Sequence, residues 1–552
     1  MNRAGFFLMI MLSTMIAGQG ACAEGLAELG KDVWAWRAQT QPTTGDDVPR
    51  IVRPEGWAPD WSPAAVSGRY DRLMAFEGRW KALAHMTRSP EEQTDYRLVG
   101  SLLARVRWEL DHVAAWKRQP HFYIAQTLTP IFEVLLPPPP VDKARFADVL
   151  RLVRHIPATL DAARHNLTDR RGPFVEVALK QLDGVPATLR GMAKGLAGSF
   201  SASRQAALDN AVKLAIEAFA VFRIFLETGR EGLDQTISVG RESYGYFLKE
   251  VALYPYSPEE LLLMGEQEWA RTAAFEAFEK NRNRGLEDLP IAATVQDVVT
   301  QLDGDERNIR RFLKEKQIIT VPDWVGHYYA QPLPDYLRPM AWLGRTFDLT
   351  NETRLDQNAT VYMPDPSPDL GFFNLSVARD PRPIIVHEGV PGHYFQLSLS
   401  WAHPNPLRRH YYDSGANEGT GFYAEEMMLQ AGFFDNSPKT REVIYSFARL
   451  RALRVDIDVK LALGDYTIAA AADYLEQKMG MDRTSAEEEA VFFAATPGQA
   501  IGYQIGKLQT IEFLSVARMK QGKAFSLRDF HDYLWLNGNV PIALLEKEYL
   551  AE

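Results

Sequence analysis

The sequence predicts a mainly α-helical protein with one small β-sheet. Helical capping signals and apolar residues at helical spacing dominate residues 24–284 and return after residue 384. Between about residues 321 and 383, prolines, glycines and aromatic residues become more frequent, and short apolar runs there are typical of strands. Hydrophobic residues make up 46% and charged residues 24% of the 552 positions. This composition indicates a globular protein with a large core and excludes a disordered, collagen-like or coiled-coil architecture.

Two helix starts in the N-terminal half carry the same capping signal. Ser89 and Ser257 are each followed by proline at the first helical position and by glutamate three residues after the cap. The second signal opens a predicted helix over residues 261–281, and residues 209–228 have the periodicity of a largely buried helix. The proline run at residues 137–140 predicts a loop.

After residue 320 the sequence predicts first the sheet and then a second set of helices. Strands are expected at residues 359–363 and 371–377. The run at residues 370–375 fits equally well an edge strand that pairs with an extended peptide and an internal strand of the sheet. Helices are expected over residues 384–401, 418–431, 439–463 and part of 486–522.

The first 23 residues have the pattern of a secretory signal peptide. Arg3 precedes an apolar run from residue 4 to residue 18, and the small-residue triplet ACA at residues 21–23 predicts cleavage after Ala23. The run is short for a membrane span of about 20 residues. Lipid attachment at Cys22 is the less favoured alternative, because Gln19 stands where lipoprotein signals usually have an aliphatic residue. We therefore expect a periplasmic or secreted protein without a stable membrane anchor.

Charge and cysteine content exclude several classes of function. The formal net charge is −10 and no dense run of lysine or arginine occurs, so a nucleic-acid partner is not expected. Cys22, inside the predicted signal, is the only cysteine. The mature chain therefore offers no intramolecular disulfide, thiol nucleophile or zinc–thiolate site.

Two histidines flank a glutamate in the segment HEGVPGH at residues 387–393. Zinc hydrolases need two imidazoles on one metal and a carboxylate beside it that accepts a proton from water. The usual histidine spacing is four, whereas His387 and His393 are six residues apart, which on a regular helix turns the rings about 120° from each other. Because proline and glycine between them oppose a regular helix, we predict an irregular turn that returns His393 to the metal.

A third metal ligand is expected downstream. Glu418 follows His393 by 25 residues, and Glu425 lies seven residues further on the same helical face. Glu418 could bind the metal while Glu425 orients a ligand. By spacing alone, a capped helix start with surface histidines explains the same residues equally well.

Longer motifs identify a family resemblance. HEGVPGHYFQ at residues 387–396 and EGTGFYAEEMM at residues 418–428 resemble the H-E-x-x-P-G-H-x-x-Q and E-G-W-A-x-Y-x-E motifs of the bacterial domain of unknown function 885 family. Further matches are PGQA at residues 497–500 with Tyr503 and Gly506, and FHD at residues 530–532 with NG at 537–538. The sequence departs from the family pattern at Thr420, usually tryptophan, and at residues 458–460, often Gly-Leu-His.

The resemblance implies a large helical zincin-like fold with a small sheet next to the metal-binding helix and a deep cleft. Such proteins are similar in their motifs to thimet oligopeptidase and carboxypeptidase Taq. A signal (1–23) would precede an N-terminal helical region (24–320) and a metallopeptidase-like catalytic region (321–552). The similarity to the thimet group favours Glu418 over Glu425 as the third ligand.

The implied activity is zinc-dependent hydrolysis of short peptides. His387, His393 and Glu418 would hold zinc, Glu388 would act as general base, and Tyr503 would stabilise the oxyanion. Glu425 and Gln396 are expected to support the ligands. A surface position for Gln396 and a core position for Tyr503 are the alternatives. A zinc hydrolase of another amide or of a cell-wall peptide, and an inactive peptide-binding protein of the same fold, remain alternatives. The direction of cleavage, the side-chain preference and the oligomeric state stay open.

Arg451 and Arg454 lie on one face of the helix predicted over residues 439–463. Arg451 and Arg454 could meet a substrate carboxylate. Ion pairs with nearby acids such as Asp456 or Asp458 are the favoured interpretation.

Overall fold

The computed structural model describes residues 25–43, 51–86 and 88–551. The predicted signal peptide lies outside these residues. Within the described part of the chain, no helix combines the length and apolar character needed to cross a membrane.

The N-terminal half is built from helices, as predicted. The capping boxes at Ser89 and Ser257 are both present, with each serine side chain accepting the N–H of the glutamate three residues on and each glutamate accepting the serine N–H. The proline run at residues 137–140 is a loop, as predicted. The helices are α1 (25–40), α2 (Pro63–Ala82), α3 (Pro90–Arg107), α4 (Ala115–Arg118), α5 (Pro120–Leu135), α6 (Lys143–Asn166), α7 (Gly172–Gly195), α8 (Ala202–Glu227), α9 (Arg241–Tyr246), α10 (Pro258–Arg282) and α11 (Val295–Glu315).

A three-stranded sheet follows α11. Its strands are β1 (Tyr328–Pro332), β2 (Phe347–Asp348) and β3 (Ala359–Met363), in the order β1-β3-β2. β3 pairs in parallel with β1 and antiparallel with β2, and it is the strand predicted at residues 359–363. The ring of Tyr328 on β1 contacts Gly389, so the sheet lies against the segment that carries His387 and Glu388.

The C-terminal part returns to helices. They are α12 (Phe372–Arg379), α13 (Arg382–Ile384), α14 (His393–Trp401), α15 (Pro406–His410), α16 (Ser414–Gln430), α17 (Pro438–Leu463), α18 (Ile468–Met479), α19 (Arg483–Ala495), α20 (Ile501–Gln521), α21 (Leu527–Leu536) and α22 (Ile542–Ala551). The chain is therefore mainly α-helical with one small sheet, which confirms the predicted fold class.

The prediction of a strand at residues 371–377 is wrong, because this segment forms α12. A short apolar run does not distinguish a buried strand from a helix. Phe372 and Phe373 contact Phe447 of α17, and the Phe372 N–H donates to the Asp482 carboxylate over 3.3 Å. Both partners are distant in sequence, so local patterning could not show them. The predicted edge or internal strand at residues 370–375 is likewise absent.

Buried apolar residues from both halves of the described chain form the hydrophobic core. One cluster unites α5 to α8 with the segment around Met340. A second cluster unites α2 and α3 with the sheet, the histidine segment and α21, so that Leu73 and Phe530 belong to one core. The candidate site is thus held by residues from both halves of the chain.

Helices α16 and α20 approach closely through glycines. A Cβ atom added to Gly419 would overlap the backbone of Gly506, and one added to Gly506 would overlap the carbonyl of Gly415. This close approach places Glu418 on α16 beside the helix that carries Tyr503.

We predict that Gly419→Ala lowers the free energy of unfolding by about 3 kcal/mol, because the added methyl group meets rigid backbone rather than a movable side chain. Gly184→Ala is the matched control: Gly184 lies within α7 and an added Cβ there meets no atom within 4 Å. That change is expected to be neutral or stabilising by up to about 1 kcal/mol. Urea denaturation measures both, and equal stabilities for the two variants would contradict the close packing.

Candidate metal centre

His387 and His393 lie on either side of a break in helical structure. α13 continues into a π-helical turn, Ile385–Gly389, which carries His387 and Glu388. Val390 is extended, with φ −125° and ψ 124°, and His393 is the first residue of α14. The irregular turn expected from the proline and glycine is therefore present. Its tight path brings Gly392 against the carbonyl of His387, where a Cβ atom would overlap.

The two imidazoles converge on one carboxylate. Glu418 Oε2 lies 3.3 Å from His387 Nε2 and 3.2 Å from His393 Nε2. Glu388 Oε2 is 3.9 Å from His393 Nε2. His387, Glu388 and His393 each offer a ligand atom within 4.8 Å of the others. All four side chains are buried, so the interpretation as surface histidines at a helix start is wrong.

The donor set fits a tetrahedral metal ion. Ligand atoms about 2.0–2.1 Å from a tetrahedral zinc are about 3.3–3.4 Å apart, which is close to the two distances from Glu418 to the histidines. Among the described residues, Glu388 Oε2 and Glu418 Oε1 are buried without a hydrogen-bond partner. Two imidazoles and a carboxylate are ligands that zinc accepts.

Glu425 contacts the opposite side of His387. Its Oε1 atom lies 2.7 Å from His387 Nδ1 and also 2.7 Å from Arg451 Nη2. Arg451 Nη2 also lies 3.3 Å from His387 Nδ1. A carboxylate at the position of Glu425 can accept a proton on Nδ1, which would leave Nε2 to face a metal. Glu418 and Glu425 thus lie at different nitrogens of His387, and their roles as ligand and orienting residue stay predictions.

The charges in this cluster shift one another's pKa. Burial and Arg451 lower the pKa of His387, but the carboxylates of Glu418 and Glu425 outweigh them and raise it to about 9. Burial would raise the pKa of Glu418, yet His393 and His387 hold it well below its usual range. The ionised carboxylate is thus the favoured state of Glu418, and the raised pKa of His387 means that a metal bound at Nε2 would displace a proton from that ring.

Gln396 forms hydrogen bonds between two helices. Its amide nitrogen donates to the Ala416 carbonyl over 3.2 Å and to the Thr420 hydroxyl over 3.3 Å, and its oxygen accepts from Asn417 over 2.9 Å. These bonds join α14 to the first turns of α16. Gln396 therefore supports the helix that carries Glu418, and Thr420, the departure from the family motif, is one of its partners.

Tyr503 lies beside the cluster on α20. Its ring is nearly parallel to that of His387, with centroids 6.2 Å apart, and the guanidinium of Arg454 lies 4.5 Å from its centroid. Tyr503 also lines a cavity of about 1580 Å³, together with Arg345, Phe373 and residues from α1, α3 and α19. It is thus the predicted site residue that connects the buried cluster to this space.

The anticipated partners of the α17 arginines are wrong. Arg454 pairs with Glu489 at 2.7 Å, and Arg451 pairs with Glu425. Asp458 instead accepts the backbone N–H groups of Gly498 and Ala500, each over 2.8 Å, just before α20 begins. Partners on other helices, Glu425 on α16 and Glu489 on α19, could not be read from spacing within α17.

Two residues near the cluster carried no chemical signal in the sequence. Arg345 lies in the loop before β2, and its Nη1 is 3.9 Å from Glu388 Oε1. Gly421 lies on α16, where a Cβ atom would be 2.9 Å from His393 Cε1 and 3.2 Å from His387 Cε1. Gly421 follows Glu418 by three residues, so both lie on one face of the helix. This spacing was the available sign that Gly421 lies next to the histidine rings.

Gly421→Ala is predicted to displace the imidazole rings and to weaken zinc binding by about ten- to hundredfold, the range found when ligand-orienting contacts are lost. Zinc affinity is measured by competition with a chromophoric chelator, and Gly184→Ala serves as the control for a helical glycine in open surroundings. An unchanged affinity would mean that the rings are not held against Gly421.

Comparisons with known proteins agree with the family resemblance. A protein described as a putative lipoprotein of unknown function from Shewanella oneidensis has a similar structure, with a TM-score of 0.68 and 18% identity over 98% of this chain and 100% of that one. A putative lipoprotein from Colwellia psychrerythraea has a TM-score of 0.75 and 15% identity over 96% of this chain and 98% of that one. These likenesses show a shared fold.

No curated protein matches the sequence. The family described as bacterial protein of unknown function (DUF885) matches residues 44–548, which include the histidine segment, α16 and α20. The chain therefore belongs to the DUF885 family.

Proposed function

We propose that this protein is an extracytoplasmic zinc-dependent peptidase that cleaves short peptides. The observation that carries the proposal is the convergence of His387, His393 and Glu418 in a buried cluster with Glu388 beside it. Burying four titratable groups together is costly unless they are paired or bind a cation. The similarity of the motifs to those of zincin-like peptidases points in the same direction.

His387, His393 and Glu418 would hold the zinc ion, which when bound activates water and polarises a carbonyl group. Glu388, next to His387 on the π-helical turn, is placed to accept the proton of the attacking water and to transfer it to the leaving amine. The Tyr503 hydroxyl is the candidate donor toward the developing oxyanion. Glu425 fixes the orientation of His387 through Nδ1.

The size of the cavity beside Tyr503 is consistent with a short peptide substrate. Its volume of about 1580 Å³ exceeds the range of about 300–1000 Å³ usual for small-ligand sites, so a peptide of several residues can be accommodated. The buried position of the cluster favours chain ends and short peptides over folded proteins, which could not bring a bond to Glu388. The deep cleft expected from the similarity to thimet oligopeptidase and carboxypeptidase Taq stays a prediction.

An extracytoplasmic location is supported by two independent features. The first 23 residues have the pattern of a secretory signal, and the two structural neighbours from Shewanella and Colwellia are described as lipoproteins. The mass of the mature N-terminus distinguishes cleavage after Ala23 from lipid attachment at Cys22.

The direct test is digestion of a mixture of short peptides by the purified chain. Protein supplied with zinc is compared with chelator-treated protein and with treated protein that has received zinc again, and mass spectrometry identifies the products. We expect cleavage that disappears with the chelator and returns with zinc. No cleavage of any peptide by the zinc-supplied protein would contradict the peptidase proposal.

A further inference from the structure

We propose that Arg345 binds the C-terminal carboxylate of the substrate, so that the enzyme releases single residues from the C-terminus of short peptides. This inference rests on the proposed peptidase function and names its substrate class and the direction of cleavage.

Arg345 reaches the cavity next to the general-base candidate. It lies in the loop between the 3-10 turn Arg338–Leu343 and β2, its side chain is 34% exposed, and it lines the cavity. Its Nη1 atom lies 3.9 Å from Glu388 Oε1. A substrate atom near Glu388 would therefore lie within a few ångströms of a guanidinium group.

The distance between Arg345 and Glu388 is compatible with the length of one peptide residue. The scissile carbonyl must lie close to Glu388, because that carboxylate delivers the water's proton. Consecutive residues of an extended peptide advance by about 3.3–3.6 Å, so the carboxylate of the residue directly after the scissile bond would lie about one step beyond the carbonyl. A guanidinium 3.9 Å from Glu388 Oε1 is within reach of that carboxylate.

Two neighbouring arginines lie deeper in the protein than Arg345. Arg451 and Arg454 are buried, and each lies 2.7 Å from a carboxylate, Glu425 and Glu489 respectively. Arg454 and Arg345 both lie against the ring of Phe373, at 5.9 and 5.6 Å from its centroid. Arg345 is the most exposed of these three arginines. A guanidinium is the side chain best suited to bind a planar carboxylate through two hydrogen bonds.

The reaction is a simple hydrolysis. The C–N bond before the last residue breaks, water supplies the hydroxyl group of the new carboxylate, and its proton reaches the leaving amine through Glu388. The products are a peptide shortened by one residue and a free amino acid.

The test uses the zinc-supplied full chain, a mixture of tripeptides with free C-termini, and the same mixture as C-terminal amides. For the wild type we expect release of the C-terminal residue, with kcat/KM for free peptides about ten- to hundredfold above that for amides. Arg345→Gln should lose this preference by lowering kcat/KM for the free peptides alone. Arg345→Lys should retain part of it, because lysine keeps the charge without the bidentate geometry.

Arg409→Gln is the matched control. Arg409 also lines the cavity, and it donates to the His403 carbonyl over 3.0 Å. This variant should keep the preference for free C-termini. Peptide binding to Glu388→Gln and to the double variant Glu388→Gln with Arg345→Gln gives a second readout without turnover, in which only the first should distinguish free peptides from amides.

Different outcomes separate this inference from the proposed function. Cleavage of free peptides and amides at equal rates, release of N-terminal residues, or an equal loss for both substrates in Arg345→Gln would overturn the role of Arg345 and leave the peptidase intact. Absence of any cleavage would remove the peptidase proposal, and with it this inference.

Discussion

Glu388→Gln is expected to reduce peptide hydrolysis by about 10²- to 10⁴-fold, the usual contribution of a general base, while the protein keeps its zinc. Glutamine has nearly the same shape but cannot accept the proton of the attacking water. Glu388 lies 3.9 Å from His393 Nε2, further than Glu418, so we propose Glu418 as the ligand and Glu388 as the base, although His387, Glu388 and His393 also form a group that could hold a metal. Steady-state kinetics on short peptides and zinc content are both measured.

Glu217→Gln is the control for the substitution itself, since Glu217 is an exposed residue of α8. It should leave both activity and zinc unchanged. Full activity in Glu388→Gln would contradict the role of general base. Loss of zinc together with activity would instead make Glu388 a ligand.

Exchanging the two α16 glutamates one at a time should give clearly different results. Glu418→Gln is expected to abolish stoichiometric zinc binding, because Glu418 Oε2 is the atom that faces both imidazoles. Glu425→Gln should weaken zinc binding by about ten- to hundredfold, since the amide still contacts His387 Nδ1 but no longer accepts its proton as a carboxylate. Competition with a chromophoric chelator measures both affinities.

Glu425→Gln should also lower stability, because Arg451 is buried and pairs with Glu425 at 2.7 Å. Breaking a buried ion pair from one side costs about 3–5 kcal/mol. If instead Glu425→Gln abolished zinc binding and Glu418→Gln did not, the third ligand would be Glu425.

The helices could be predicted because their signals are local. The capping boxes at Ser89 and Ser257 and the apolar periodicity of α8 and α17 lie within the elements themselves. α12 could not be predicted, because its first turn is completed by Asp482 and its aromatic residues pack on Phe447, both far away in sequence. A local sequence pattern predicts an element correctly only where contacts with residues distant in sequence do not change its structure.

The same distinction between local and distant signals applies to the candidate site. His387, Glu388 and His393 were found because one short segment holds them, and Glu418 and Glu425 because their spacing places both on one helical face. Arg345 was missed because it comes from a loop before β2, outside every motif. The close packing of Gly421 against both imidazoles depends on how α16 crosses the histidine segment. How two segments cross is set by tertiary packing, which cannot be read from residue spacing.

The metal content of the purified chain tests the central claim most directly. After zinc is offered and excess is removed, elemental analysis should find about one zinc per chain in the wild type and none in His393→Ala. His531→Ala is the matched control, because His531 is buried but bonds to the Ile318 carbonyl and to Tyr423, outside the cluster. It should keep its zinc even if it is less stable. Wild-type protein that takes up no zinc, or His393→Ala that retains it, would contradict the metal centre.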